Sequence, residues 1–178
     1  MKQQENNFSY KSILQVGVWE ILLNDLNLDH WADLAYKTKT NDSGVKVSNT
    51  GYHSNPNLHT HPPFYPLVDL INKSLLQITN HPNTIINEMW VNISTFGDFN
   101  HPHNHSIDNN QNSLSGVLYL KTPLNCGNIQ FQNPLNLSSS TTFLPKEKSM
   151  LIFPKILFHY VEPNLSQEDR ISIAFNFN

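Results

Sequence analysis

The chain has 178 residues, 38% hydrophobic and 11% aromatic, enough for one domain with a substantial core. A formal net charge of −3 excludes a broad basic surface for nucleic acid or anionic lipid. The single cysteine, Cys126, excludes an intrachain disulfide framework and suits a reducing compartment.

The residues before Phe8 are too polar for an ordered element to be expected, and they lack the apolar core of a signal peptide. Ser12 to Leu22 is predicted as a strand through Ile13, Val16, Val18 and Trp19. Asn27 is placed to cap a helix from Leu28 to about Thr38, with Leu28, Trp31, Ala32 and Ala35 on one face. Asn41 to Pro63 is rich in Asn, Ser, Thr, Gly, Pro and His and reads as a loop. Within it, Gly51-Tyr52-His53-Ser54 with His59 and His61 reads either as a flexible lid or as an ordinary polar loop. A second helix is predicted from about Phe64 to Thr79, with Phe64, Leu67, Val68, Ile71, Leu75 and Ile78 at helical spacing and Pro66 in the first turn.

From residue 84 onward the pattern is almost wholly strands: Ile85–Thr95, Leu114–Lys121, Asn128–Gln132, Thr141–Leu144, Ser149–Phe153, Leu157–Glu162 and Arg170–Phe177. The organisation is therefore one domain, 1–178, with helical and loop support over 1–83 and a β core over 84–178. Its fold class is mainly β with N-terminal helices, a sandwich or jelly roll. No apolar run approaches the ~20 residues of a membrane span.

Two histidine sites stand far apart: His101-Pro102-His103-Asn104-His105, and His159 followed by Arg170-Ile171-Ser172. In a strand, residues two apart share a face, so His103 and His105 can approach one ion, and Arg170 and Ser172 one carboxylate. Imidazole suits iron, zinc, copper and nickel, so the spacing points to a metal without choosing it. The simpler readings are a surface histidine cluster and a polar residue at a strand end. Along the last strand, Arg170, Ser172, Ala174 and Asn176 form one face and the aliphatic residues the other. Trp90 and Asn92 share a face of the strand before the first motif and either line a pocket or pack in the core.

From Phe96 the chain runs through Gly97-Asp98-Phe99-Asn100, the histidine cluster, Ser115-Gly116-Val117-Leu118-Tyr119-Leu120, Gly127-Asn128-Ile129-Gln130-Phe131, Met150-Leu151-Ile152-Phe153-Pro154, His159-Tyr160-Val161-Glu162-Pro163 and Arg170-Ile171-Ser172-Ile173-Ala174-Phe175. Tyr119 lies sixteen positions after His103, and Arg170 lies eleven after His159. This order, from about Met89 to the C-terminus, resembles the Fe(II)/2-oxoglutarate-dependent dioxygenases, in the branch of prolyl hydroxylases and small oxygenases of phages and marine bacteria. The family usually opens its core with His-x-Asp, and this chain has His105 at the second position. Three readings follow: His105 is the third ligand, water fills that position, or Asp108 swings in. The first is favoured by the period-two geometry. A register slip to His101 and His103 loses the family spacing to Tyr119, which leaves His101 as a neighbour facing substrate or solvent.

The resemblance implies a double-stranded β-helix (a cupin-like jelly roll) and a dioxygenase using Fe(II), 2-oxoglutarate and O2. It further implies iron on His103, His105 and His159, with Arg170, Ser172, Tyr119 and Asn92 around the cosubstrate. The reaction would be hydroxylation of a C–H bond with release of succinate and CO2, on a prolyl, peptide or small amino-acid-like substrate. The implied setting is a cytoplasm, that of the host if the chain is phage-encoded. Two rivals stand beside this reading: a cupin-like three-histidine metalloenzyme without 2-oxoglutarate, and a non-catalytic β-sandwich binding protein.

Overall fold

Alternation of side chains along the strands, more than strand count, positions everything that follows. The computed structural model describes residues 16–78, 85–105 and 113–177. In chain order these form β1 (Trp19–Leu22), α1 (Leu28–Asn41), β2 (Tyr52–His53), α2 (Tyr65–Ile78), β3 (Ile86–Ser94), β4 (Asn100–His103), β5 (Leu114–Lys121), β6 (Ile129–Asn133), β7 (Asn136–Phe143), β8 (Ser149–Pro154), β9 (His159–Val161) and β10 (Arg170–Phe177). The strands make two antiparallel sheets, β1-β8-β5-β10-β3-β2 and β4-β9-β6-β7. This is the mainly β, jelly-roll architecture expected from the short, punctuated strands.

β10 lies between β3 and β5 and is buried along its whole length. Its Ile171, Ile173, Phe175 and Phe177 join a core with Met89, Val91 and Ile93 of β3, Leu118 and Leu120 of β5, and Met150 and Ile152 of β8. The helices close this core from outside: Trp31 and Ala35 from α1, and Leu67, Ile71 and Leu75 from α2. Each such aliphatic side chain, fully buried, contributes roughly 1.5–3 kcal/mol. The other face of the large sheet turns toward the small one, where Tyr119, Ile129, Phe131, Leu151, Phe153 and Leu157 form a second, smaller cluster.

Local signals account for most boundaries. The Asn27 side chain accepts from the His30 backbone N–H and caps α1, which runs three residues past the expected Thr38, to Asn41. Two single-turn 3-10 helices, Leu58–Thr60 and Pro62–Phe64, precede α2. Of the strand expected over Ser12–Leu22, only Trp19–Leu22 is extended, and residues 12–15 lie outside the described residues.

The segment read as a loop from Asn41 to Pro63 is pinned at several points. The Ser54 backbone N–H donates to Val91 O, and its hydroxyl accepts from the Val91 N–H. Asp42 accepts from the backbone N–H groups of Gly44 and Asn55. β4 is not among the predicted strands, although the pairing of His103 with His105 presumes an extended backbone there. Among the described strands it pairs with β9, and the 41–63 segment flanks it through an isolated bridge from Asn49 to Asn100 and through Ser48 O, which accepts from His101 N–H at 2.8 Å. The strand expected over Thr141–Leu144 is longer, beginning at Asn136, because β7 is an exposed edge strand whose polar residues carry no alternation of burial.

Candidate active site

The pocket between the sheets is built from alternate residues of three adjacent strands. On β10, Arg170, Ser172 and Ala174 face it; opposite them in register stand Ser94, Asn92 and Trp90 of β3. Tyr119 and Val117 of β5 pair with Ser172 and Ala174 from the other side. The small sheet supplies His103, Ile129, His159 and Val161, and the cavity has a volume of about 70 Å³.

Three imidazoles converge at one end. β4 pairs with β9 so that His103 and His159 are direct cross-strand partners. His105 follows two residues on, beyond the end of β4, with its backbone N–H bonded to Lys155 O rather than to a strand partner. The side chains of His103 and His105 thus converge, as the period-two reading expected, although His105 is not itself in the strand. Ring nitrogens of His103, His105 and His159 all lie within 4.8 Å of one another. Ring centroids are 4.4 Å apart for His103 and His159, 5.1 Å for His105 and His159, and 5.2 Å for His103 and His105.

The hydrogen bonds decide which nitrogen each ring can offer. His103 Nδ1 lies 2.7 Å from His101 O, and His159 Nδ1 lies 2.9 Å from Leu157 O. A carbonyl can only accept, so both Nδ1 atoms carry the proton and both Nε2 lone pairs are free. His105 Nδ1 lies 2.8 Å from the side-chain oxygen of Asn176, which sets the same tautomer. Burial opposes the charged form of all three. It holds His159 down to about 3 and His105 to about 4, with repulsion from the neighbouring imidazoles adding to the effect, and it lowers His103 as well. Three neutral, oriented imidazoles are the state in which histidine binds a metal, so these residues fit an iron ion.

At the far end of the pocket Arg170 is 4% exposed. Its guanidinium donates to Cys126 O at 3.0 Å, Gly127 O at 3.3 Å and Ser94 Oγ at 3.0 Å. Among the described residues no carboxylate forms an ion pair with it. Its three acceptors are neutral and the Asp98 carboxylate acts on it only through space, so a buried positive charge is held in place with no carboxylate bonded to it among the described residues. Such a group is costly unless an anion completes it. Burial lowers the Arg170 pKa and pushes that of Tyr119 up, so the phenol beside it stays protonated. Gly127 makes the Arg170 cradle possible. Its φ is +85°, and a Cβ there would stand 2.2 Å from Glu162 O.

Other predicted residues divide clearly. Asn92, Tyr119 and Ser172 line the same pocket as the histidines and Arg170, and the Asn92 side-chain oxygen is buried without a hydrogen-bond partner among the described residues. Trp90 also lines it, stacked on His53 at 5.2 Å between ring centroids. His53 thus reaches the site from the 41–63 segment, whereas His59 sits in the first 3-10 turn, His61 caps the junction between the two turns, and neither lines the pocket. His101 is exposed. Asp108 lies outside the described residues.

Sequence reasoning missed Glu88, Ser115, Ser48 and Asn100, and gave Asn176 a face but no role. Asn100 and Ser48 line the pocket, and Ser115, Asn176 and Glu88 form a polar row behind His105. The signal available for the last three was strand alternation, since they share the inward parity of Asn92, Tyr119 and Ser172.

A family model described as "Putative 2OG-Fe(II) oxygenase" matches residues 88–176, half of the chain. No curated protein matches the chain in sequence. Among solved structures, the fold is similar to the α-ketoglutarate-dependent non-haem epimerase SnoN of nogalamycin biosynthesis, with a TM-score of 0.79, 11% identity, and coverage of 92% of this chain and 78% of that one. It is also similar to a prolyl-4-hydroxylase of Pseudomonas putida, with a TM-score of 0.67, 16% identity and 92% of both chains covered. A third is HygX from Streptomyces hygroscopicus with nickel and 2-oxoglutarate bound, with a TM-score of 0.70, 13% identity, and coverage of 92% of this chain and 82% of that one.

Proposed function

We propose, since this chain belongs to the family of 2OG-Fe(II) oxygenases, that His103, His105 and His159 hold its iron and that Arg170 holds its 2-oxoglutarate. The observation that carries this assignment is the pairing, in one pocket, of three imidazoles with free Nε2 atoms and a buried guanidinium to which no carboxylate is bonded among the described residues. When bound, iron and 2-oxoglutarate supply the oxidising chemistry: O2 is consumed, 2-oxoglutarate is converted to succinate and CO2, and a C–H bond is hydroxylated.

The protein's own part is orientation and exclusion of water. Arg170 meets the far carboxylate with the planar fork that an ammonium lacks, and the carbonyls of Cys126 and Gly127 hold that fork in one orientation. Ser172 and Tyr119, cross-strand partners beside it, offer hydroxyls to the same carboxylate, and Asn92 offers its amide. Val117, Ile129, Phe153 and Val161 keep the space between the two ends apolar. A metalloenzyme of the same histidines without 2-oxoglutarate would leave Arg170 buried with no anion bonded to it, which counts against that rival.

The primary substrate is a peptidyl proline or a small amino-acid-like molecule. Support comes from the likeness to a prolyl-4-hydroxylase and from the polar side chains of Ser48, His53 and Asn100 in the pocket lining. The test is succinate formation with Fe(II), ascorbate and 2-oxoglutarate across proline-containing peptides and free amino acids. Stimulation by one of these classes is expected. Turnover stimulated only by unrelated molecules would refute the substrate assignment, and no 2-oxoglutarate turnover at all would refute the cosubstrate site.

A further inference from the structure

The three histidines differ in what stands behind them. His103 and His159 each donate from Nδ1 to a backbone carbonyl two residues earlier, His101 O and Leu157 O, and the path ends there on a neutral group. His105 instead donates to Asn176 Oδ1 at 2.8 Å, and the Asn176 amide nitrogen donates in turn to the Glu88 carboxylate. Ser115 Oγ donates to the same Asn176 oxygen at 2.6 Å and lies 3.1 Å from His105 Nδ1. Asn176 and Ser115 are both buried.

These residues meet because they occupy one row across the sheet. Asn176 of β10 pairs with Glu88 of β3 on one side and with Ser115 of β5 on the other. The orientation of the amide follows from its partners. A carboxylate accepts, so the NH2 faces Glu88 and the oxygen faces His105 and Ser115.

The structure assigns Glu88 and Asn176 as positioning residues that pass negative charge to His105, supplying at one remove what a carboxylate ligand would bring to this all-histidine centre. The inference rests on His103, His105 and His159 being the ligands. Its physical basis is that three imidazoles leave the double charge of the ion uncompensated, and that groups bonded to a ligating histidine raise its basicity. Hydrogen bonds in series polarise one another in a low-dielectric interior, so an amide can transmit part of the effect of Glu88. Only His105, the ligand at the position where the family usually has a carboxylate, is wired this way.

The test uses Co(II), bound to the metal-free protein in competition with a chromophoric chelator and followed by its visible spectrum. Wild-type protein binds one Co(II), and His159→Ala abolishes this. Glu88→Gln keeps a side chain of the same size and an acceptor oxygen but removes the charge. It should weaken Co(II) by about tenfold or more. It should also raise the Fe(III)/Fe(II) potential, because the lost negative charge favoured the ferric state.

The exchange variant Glu88→Gln/Asn176→Asp moves the charge one residue nearer and reverses the hydrogen bond, with the new amide donating to the new carboxylate. It should recover wild-type affinity to within a few-fold. Because it keeps both the charge and the number of hydrogen bonds, it also serves as the folding control for the single variant. Undiminished Co(II) binding in Glu88→Gln, or an exchange variant as weak as the single one, overturns the charge path while leaving the metal site standing. A wild-type protein that binds no Co(II) overturns both.

Discussion

His159 shows how one side chain can be both a core residue and a ligand. It is 4% exposed and packs against Phe131 and Phe153 at ring-centroid distances of 5.7 and 4.9 Å, so its ring is held by apolar contacts while Nδ1 is fixed by Leu157 O. Replacing His103 or His159 with Ala should abolish stoichiometric Fe(II) or Mn(II) binding with the fold intact by circular dichroism; retained metal in both variants would refute the ligand set. His105→Asp should keep binding and tighten it, since it places a carboxylate where the family usually has one.

Arg170 makes a separate prediction at the same scale. Hydrogen bonds to charged groups are worth on the order of 1.5–3 kcal/mol each, and an unpaired buried carboxylate costs more. Arg170→Ala should therefore weaken 2-oxoglutarate by roughly two orders of magnitude or more, with Arg170→Lys recovering only part. The readout is the metal-to-ligand charge-transfer band of the anaerobic Fe(II) protein. Metal affinity should hardly change, because the guanidinium sits at the opposite end of the pocket from the imidazoles.

At the scale of elements, β10 does two jobs by parity alone: its odd residues hold the helices and its even residues form the pocket floor. The turn before β6 matters almost as much, because Cys126 and Gly127 present their carbonyls to Arg170 from it. Gly127→Ala forces a side chain into a positive φ and against Glu162 O. It should destabilise the protein by about 1–3 kcal/mol and weaken 2-oxoglutarate more than it weakens metal. Chemical denaturation with parallel metal and 2-oxoglutarate titrations checks both halves. Equal losses at both ends would mean general unfolding rather than a displaced cradle.

For the whole molecule, the buried histidines make the metal-free protein acid-sensitive. His159 and His105 are held to about 3 and about 4 in the fold, against 6.5 in the open chain. Below 6.5 the unfolded chain takes up protons that the fold refuses. Stability is therefore complete above that pH and declines as pH falls toward the folded values. For His159 the loss between about pH 7.5 and about pH 5.5 is of order 1 kcal/mol. His159→Phe removes the titrating group yet keeps an aromatic among Phe131 and Phe153, so the metal-free variant should show a flatter pH dependence in urea melts. An unchanged slope would mean that other groups dominate.

Much of the fold and site is legible in the chain because it depends on short-range periodicity. The boundaries of β5 and β10, the Asn27 cap and the apolar faces of α1 and α2 follow from alternation or helical spacing within a few residues. The same parity placed Arg170 with Ser172, and the order and spacing of the family resemblance pointed to His103 and His159. What the sequence could not decide depends on strands brought together from far apart. β4 is extended because β9 and the 41–63 segment flank it, not because of any propensity in its four residues. His53 reaches the pocket only through the pairing of β2 with β3. Glu88, Ser115 and Asn176 become a unit only where β3, β10 and β5 lie side by side, since hydrogen-bond partners across a sheet are set by register, and register is a tertiary property.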